Sequence, residues 1–505
     1  MRLPALNKTS VLLTLQVVVS GITLFILYRF IYRTLGPVNL GLWSLVLATT
    51  GVARFTDLGL SGSLGRFVAR YRALNDTPRA VLAVETGVIS VIALVTGLGV
   101  LAFPILRIAL AKVVPHENIA VGLALLPYAV ASMIVSSVSG AVQGSLDGCA
   151  RLDLRAMLAI AGNVIFVTLA VALSHSHGLI GLAWAQLFQA ILMAATGWIV
   201  LRRILPGVPL VPRKWQKAAF REMIGYSTSY QVAGIAMLLC EPVTKGLLAR
   251  YGGLADVGLY EMANRVASQF RGLITAPQQS ILPMAAAANE KGKRAVVHLY
   301  ETAVENMSAM LLPTLAVLIA SAPLISMLWL GKFNPEFVHL LLALALAVGL
   351  QTFIGPAYFS LLGVGSAFWI AAGNMTVGIC NLLYALPLAH YYGIRGVVAG
   401  SVAALLTGSA VIIIRFHKDY TVPWSIYASK ANAFGVPLVA AGLLIEYGIE
   451  AMTLGASWSK WAPWAGPVLM AFLAGAVTLS RLSLGPAAKR TSHQTALAKT
   501  SEAVS

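Results

Sequence analysis

The sequence predicts an all-α polytopic membrane protein, and three observations carry that prediction: its composition, its succession of long apolar segments, and an internal repeat. Of 505 residues, 58% are hydrophobic and 11% charged, with a mean hydropathy of +0.81. Soluble domains carry about 25% charged residues. Segments of about 18 or more mostly apolar residues, each long enough at ~1.5 Å per residue to cross a ~30 Å hydrocarbon core, can be drawn about fourteen times. The repeat aligns Arg33, Gly36, Gly41, Leu42, Trp43 and Arg54 with Arg250, Gly253, Gly258, Leu259, Tyr260 and Arg271, 217 positions later.

Taken in order, the predicted spans are 10–32, 38–60, 81–104, 119–144, 156–174 and 179–201, then 223–249, 257–286, 302–330, 337–362, 367–390 and 396–415, and finally 432–452 and 463–481. Gly140, Ser145, Leu146 and Gly148 match Gly355, Ser360, Leu361 and Gly363, and Gly178 and Gly181 match Gly393 and Gly396, all at an offset of 215. Equivalent positions are six spans apart, an even number. The copies therefore run the same way through the bilayer and form two parallel-repeat lobes. The expected organisation is a six-helix lobe over residues 1–201, a basic linker over 202–222, a second six-helix lobe over 223–416, two extra helices over 417–482 and a tail over 483–505.

A formal charge of +18 could point to nucleic acid, but the basic residues follow topology and form no single patch. With the N-terminus inside, about two thirds of the 36 Lys and Arg fall in cytoplasmic segments, so both termini are expected in the cytoplasm. The most basic connection contains Arg203, Arg213, Lys214 and Lys217 and reads as a topology anchor and linker between the halves in preference to a specific lipid or partner site. No connection is long enough for a nucleotide-binding domain, and there is no phosphate-binding loop motif. The external connections lack the acids that a membrane glycosyltransferase uses to hold a metal and activate an acceptor. Three scattered cysteines and single histidines predict no disulfide framework, metal site or cofactor.

A charge in mid-membrane costs about 2.5–3.5 kcal/mol on insertion scales, so each one needs a partner, a water-filled cavity or a ligand. Arg54 and Asp57 share one helical face, and Arg54 reads either as a cavity cation or as the partner of Asp57. Its repeat equivalent Arg271 has no acid one turn away and reads as a cavity cation, on a face with Asn264 and Gln278. Guanidinium forks at these positions suit a diphosphate. Glu241 and Lys245 stand at i and i+4 on a stripe with Gln231. They are a structural pair, or else Glu241 takes up an ion while Lys245 engages phosphate. Glu85 and Asp57 are further ion-coupling candidates; Gln231, Asn264 and Gln278 are candidate sugar contacts. Arg265 has Glu261 one turn before it and reads as an internal pair.

The run Leu35-Gly36-Pro37-Val38-Asn39-Leu40-Gly41-Leu42-Trp43-Ser44, then Phe55-Thr56-Asp57-Leu58-Gly59-Leu60 and a basic loop, resembles the opening of polysaccharide-transporter, Wzx-type flippases of the multidrug/oligosaccharidyl-lipid/polysaccharide (MOP) exporter superfamily. Tyr251-Gly252-Gly253-Leu254-Ala255-Asp256-Val257-Gly258-Leu259-Tyr260 is similar to that family's junction of the seventh and eighth helices. The resemblance implies alternating access and export of an undecaprenyl-pyrophosphate-linked oligosaccharide, a repeat unit of O-antigen, exopolysaccharide or capsule, across the bacterial inner membrane. It implies ion-gradient coupling, and as partners membrane lipids and a polysaccharide polymerase or chain-length regulator, with no nucleic acid. Related lipid II flippases place cavity arginines where Arg54 and Arg271 stand, but also in the first helix, where this chain has Gln16, Ser20 and Thr23. A lipid II flippase, a drug or metabolite exporter and a membrane sugar polymerase or ligase remain as alternatives.

Overall fold

The structure is a computed structural model, in which residues 8–51, 60–428, 430–455, 463–471, 473 and 475 are described. Among these residues every regular element is helical. In chain order they are α1 (Lys8–Thr34), α2 (Pro37–Gly51), α3 (Leu60–Ala73), α4 (Thr77–Val113), α5 (His116–Gly148), α6 (Leu152–Ile204), α7 (Lys217–Tyr251), α8 (Leu254–Gln278), α9 (Ile281–Asn289), α10 (Lys293–Ala320), α11 (Ala322–Leu330), α12 (Pro335–Thr352), α13 (Gly355–Gly363), α14 (Ala367–Tyr420) and α15 (Lys430–Gly455), with a 3₁₀ turn at Trp424–Tyr427. Eight described helical stretches are long and apolar enough to span a bilayer.

Two of those stretches are too long to be single spans. At ~1.5 Å per residue, the 53 residues of α6 would reach ~80 Å if straight. Instead the chain reverses at Gly178 (φ 56°, ψ −133°), and α14 reverses at Gly393 with nearly the same angles (φ 57°, ψ −133°). Each pair of arms lies antiparallel: Gly162 faces Met193 in α6, and Gly408 faces Val377 in α14. A side chain at either reversal would sit in a backbone region open essentially to glycine. Gly178→Ala and Gly393→Ala are each expected to cost about 1–3 kcal/mol, read as a lowered melting temperature of the purified protein.

Several expected elements are corrected. The basic loop expected after Leu60 is the helix α3, which buries Leu64, Phe67 and Val68 against α4 and α5 and leaves Arg70 and Arg72 outside. The expected spans 257–286 and 302–330 are interrupted, giving α8 and α9, α10 and α11, while 337–362 holds as one membrane-capable stretch, Pro335–Gly363, with a break between α12 and α13. Proline marks all three breaks. Pro277 lies in the last turn of α8, while Pro323 and Pro356 open α11 and α13. Lacking an N–H, proline is tolerated in a first turn and disrupts a continuous ladder.

Contact clustering divides the chain into two compact units. One is Met1–Gln269 with Ser366–Ile414, the other Phe270–Gly365 with Arg415–Ser505. Within the first, the repeat is a structural fact. The helices α1 and α7 end at Thr34 and Tyr251, and α2 and α8 begin at Pro37 and Leu254, each at the sequence offset of 217. Gly36 (φ 86°) and Gly253 (φ 101°) make the same left-handed turn between them. The helices α2 and α8 then touch reciprocally: a Cβ on Gly41 would collide with the Leu254 carbonyl, and one on Gly258 would lie 2.5 Å from the Pro37 carbonyl. Contact of i with j and of j with i is the mark of a two-fold relation.

In the second unit, α10 packs along α15, with Gly435 against Leu312 and Gly442 against the Ala316 backbone. At the end of α14, the His417 ring is stacked on Trp424 at 4.2 Å, and Tyr300 Oη lies 3.0 Å from His417 Nε2 and 2.6 Å from Tyr427 Oη. That aromatic cluster fixes the connection leading to α15.

Candidate functional site

The charges inside the first unit converge where α1, α2, α7 and α8 meet. The helix α7 sets Glu241 and Lys245 one turn apart, and α8 does the same for Glu261 and Arg265. Lys245 Nζ lies 2.6 Å from Glu241 Oε1 and 2.6 Å from Glu261 Oε2. Arg265 Nε donates to Glu261 Oε1 at 2.6 Å and to Tyr28 Oη at 3.0 Å, with its guanidinium 5.7 Å from the centre of the Tyr28 ring.

Glu261 is the hub. Its Oε1 accepts from Tyr28 Oη (2.8 Å) and Arg265, and its Oε2 from Ser44 Oγ (2.9 Å) and Lys245. A carboxylate offers about four lone-pair positions, and here all are taken. That saturation is what lets a buried ion persist, since removing an unpaired charge from water costs several kcal/mol. Ser44 and Glu261 are themselves repeat equivalents, 217 residues apart, as are Tyr28 and Lys245. The hub therefore sits on the local two-fold and is held from both repeats, although only the second supplies charge. In the first repeat, Glu241, Lys245, Glu261 and Arg265 correspond to Leu24, Tyr28, Ser44 and Ala48.

Beside the hub is a cavity of about 200 Å³ lined by residues that include Thr50, Ser136, Gln186, Glu241, Lys245 and Arg265. Side-chain exposure separates the four ions: Glu241 (47%) and Arg265 (38%) are open, whereas Lys245 and Glu261 are sealed. Gln186 Oε1 is buried there without a hydrogen-bond partner. One residue before Lys245, Thr244 joins an uncharged knot in which the Asn381 amide donates to the Cys240 carbonyl (3.3 Å), while Thr244 Oγ1 lies 3.0 Å from Ser401 Oγ.

The structure redistributes the sequence-derived candidates. The Glu241–Lys245 and Glu261–Arg265 pairs form as their spacing indicated. Lys245, read as a cavity cation for substrate, is buried between two carboxylates, and Arg265, read as an internal pair, is the cation with open surface. Glu85 lies away from solvent, where its Oε2 accepts the backbone N–H groups of Arg213 (2.8 Å) and Lys214 (3.0 Å). Asn264 is half-buried on α8, and so is Arg271, in the second unit. Gln278 is buried in that unit, its Nε2 3.5 Å from the Thr352 carbonyl and its side-chain oxygen pressed against Gly355, at the edge of a cavity of about 240 Å³. Arg54 and Asp57 lie outside the described residues, as does the side chain of Gln231. Sequence reasoning missed Tyr28, Ser44 and Gln186, and with them the convergence on Glu261. Carrying the 217-residue offset inward from the glycines would have aligned Tyr28 with Lys245 and Ser44 with Glu261.

No curated protein sequence matches the chain. The fold is shared with solved structures at low sequence identity. An inward-facing multidrug resistance MATE family transporter of the MOP superfamily superposes with a TM-score of 0.70 at 15% identity, covering 81% of this chain and 96% of that one. The lipid II flippase MurJ, in an inward closed conformation, gives 0.67 at 14% identity, covering 94% and 99%. A MOP superfamily transporter from Pyrococcus furiosus, described as having a binding pocket of reversed polarity, gives 0.56 at 16% identity, covering 84% and 97%. Residues 5–289, more than half of the chain, match the family model described as polysaccharide biosynthesis protein. The helices, the duplicated halves and that match agree: the chain belongs to the polysaccharide biosynthesis protein family and is a multi-pass membrane protein with the fold of MOP superfamily transporters.

Proposed function

We propose that the protein flips a polyprenyl-pyrophosphate-linked oligosaccharide from the cytoplasmic to the outer leaflet of the bacterial inner membrane, as Wzx-type flippases do, by alternating access and without catalysing a bond change. Both termini are cytoplasmic in this reading, and the repeats act as lobes over 1–201 and 223–416. The observation that carries it is the ion cluster set on the two-fold between duplicated halves of a polysaccharide biosynthesis family member, beside a polar cavity.

Parting the lobes at this point breaks the Tyr28 and Ser44 hydrogen bonds to Glu261. Bonds to a buried charge contribute about 1.5–3 kcal/mol each, so opening needs a compensating ligand or ion. Glu241 is the open carboxylate and the natural place for that ion. When it takes up a proton or metal cation, Lys245 is left to Glu261 alone. In the cavity beside the hub, the Arg265 guanidinium supplies donors for the diphosphate; Arg54 and Arg271 are the further cations proposed from the sequence, and Gln231, Asn264 and Gln278 the amides proposed for sugar hydroxyls. A polymerase or chain-length regulator would take the exported unit.

Leaflet-resolved detection of the lipid-linked oligosaccharide after depletion of the protein tests the function. Intact intermediate should accumulate on the cytoplasmic leaflet; an intermediate that reaches the outer leaflet at the normal rate refutes the assignment. Arg271→Ala should abolish transport while the protein still reaches the membrane, and normal transport by that variant removes Arg271 from the site. A lipid II flippase is the second reading, favoured by the near-complete overlap with MurJ. Against it stands the body of α1, which carries no arginine before Arg29 and where Ser20 Oγ accepts the Asn163 amide at 2.8 Å.

A further inference from the structure

The connection between α6 and α7 is irregular yet tied down along its length. Arg202 Nε donates to the Val208 carbonyl (3.2 Å), and Trp198 Nε1 to the Leu210 carbonyl (2.9 Å). Glu85 Oε2 takes the N–H groups of Arg213 and Lys214, Thr86 Oγ1 takes that of Gln216 (3.3 Å), and Trp215 Nε1 donates to Ser90 Oγ (3.0 Å). Leu205 and Val208 are buried beneath it. The result is a strap laid on α4 and α6 with its backbone facing inward.

Its outer face carries an uncommon combination. Leu210 is 69% exposed, Val211 55% and Trp215 48%. Arg203, Arg213, Lys214, Lys217 and Arg221 surround them, all exposed. Neither nearby acid neutralises these cations. Glu85 is spent on backbone N–H groups, and Glu222 pairs with Arg70 at 2.9 Å. The strap joins the last turn of α6 to the first turn of α7, so it lies at the level where membrane spans end.

We propose that this strap is a preformed binding surface for acidic phospholipid: Leu210 and Val211 enter the headgroup boundary while the five cations engage lipid phosphates. The charge complementarity favours a lipid surface. A basic residue near an anionic leaflet is drawn to it, and apolar side chains beside it add their transfer from water. Because the backbone is already held, binding orders little further chain. The inference needs only that the protein spans a bilayer. It stands or falls apart from the transported substrate.

The test uses the full-length protein with Cys149, Cys240 and Cys380 replaced by serine and Val211→Cys carrying an environment-sensitive fluorophore. Labelled protein is reconstituted in phosphatidylcholine vesicles with and without phosphatidylglycerol, each containing brominated acyl chains as quencher. Quenching should be several-fold stronger with phosphatidylglycerol, and should fall back with added salt and in the Arg213→Gln/Lys214→Gln/Lys217→Gln variant. The salt titration needs no further substitution, so it decides even if the triple variant misfolds. A probe equally exposed to water in both lipids overturns the proposal and leaves the strap a protein-facing surface. Quenching that is indifferent to phosphatidylglycerol and to salt overturns it too, because burial would then owe nothing to lipid charge.

Discussion

Glu261→Gln is expected to lower both stability and transport. Four donors converge on its two oxygens, and an amide keeps one acceptor oxygen while turning an NH₂ group towards a cation, Lys245 or Arg265, that cannot accept it. Lys245 retains Glu241, but the cluster is left with a net positive charge in a buried setting. Breaking a buried ion network by removing one partner costs about 3–5 kcal/mol. A fall of several degrees in the melting temperature of purified protein should accompany the loss of transport. Adding Arg265→Gln restores neutrality and should recover part of the melting temperature but not the transport, because the open cation is gone. A single variant as stable and active as the parent protein would show that Glu261 is not the hub its contacts make it.

Glu241→Gln should behave oppositely, sparing stability and changing coupling. Its carboxylate is nearly half exposed, and ion pairs of that kind contribute about 0–1 kcal/mol. Lys245 keeps Glu261, so no buried charge is stranded. What disappears is the group that can exchange Lys245 for a proton or metal cation. Coupling free energies of about 1–3 kcal/mol correspond to roughly 5–150-fold effects. Transport in proteoliposomes should therefore fall within that range and lose its response to an imposed proton or sodium gradient. A rate that still follows the gradient moves the coupling function to another group.

How much of this could be read in advance depends on how local the signal is. Long apolar runs announce membrane helices because the bilayer imposes one length on all of them, and Gly178 and Gly393 mark their reversals in the sequence itself. The break at Pro277 was less legible, since a proline in an apolar run is compatible with a kink or with an end. Pairs one turn apart are local too, and both Glu241–Lys245 and Glu261–Arg265 formed. The convergence of α1, α2, α7 and α8 is not local. It depends on Gly41 and Gly258 letting two helices approach to backbone contact, and only that approach brings Ser44 and Tyr28 to Glu261. Lys245 likewise carried no sequence sign that it would be enclosed by two acids. Glu85, read as an ion-coupling candidate, likewise carries no local sign that the strap lies across it and occupies its carboxylate with backbone N–H groups.

The reversals at Gly178 and Gly393 bear on how the chain is made. A turn of a few residues ties the two arms of α6, and likewise those of α14, into one hairpin, so the arms are expected to enter the bilayer as a pair. Neither arm can adopt its orientation independently. The cations at the two ends of α6, Arg151 and Arg155 at its start and Arg202 and Arg203 in its last turn, then act as one orienting signal held on a single side of the membrane. Inversion of the α6 hairpin would require carrying all four of these cations across the bilayer at once. The tight glycine turn thus converts two weak topological decisions into one strong one during biosynthesis.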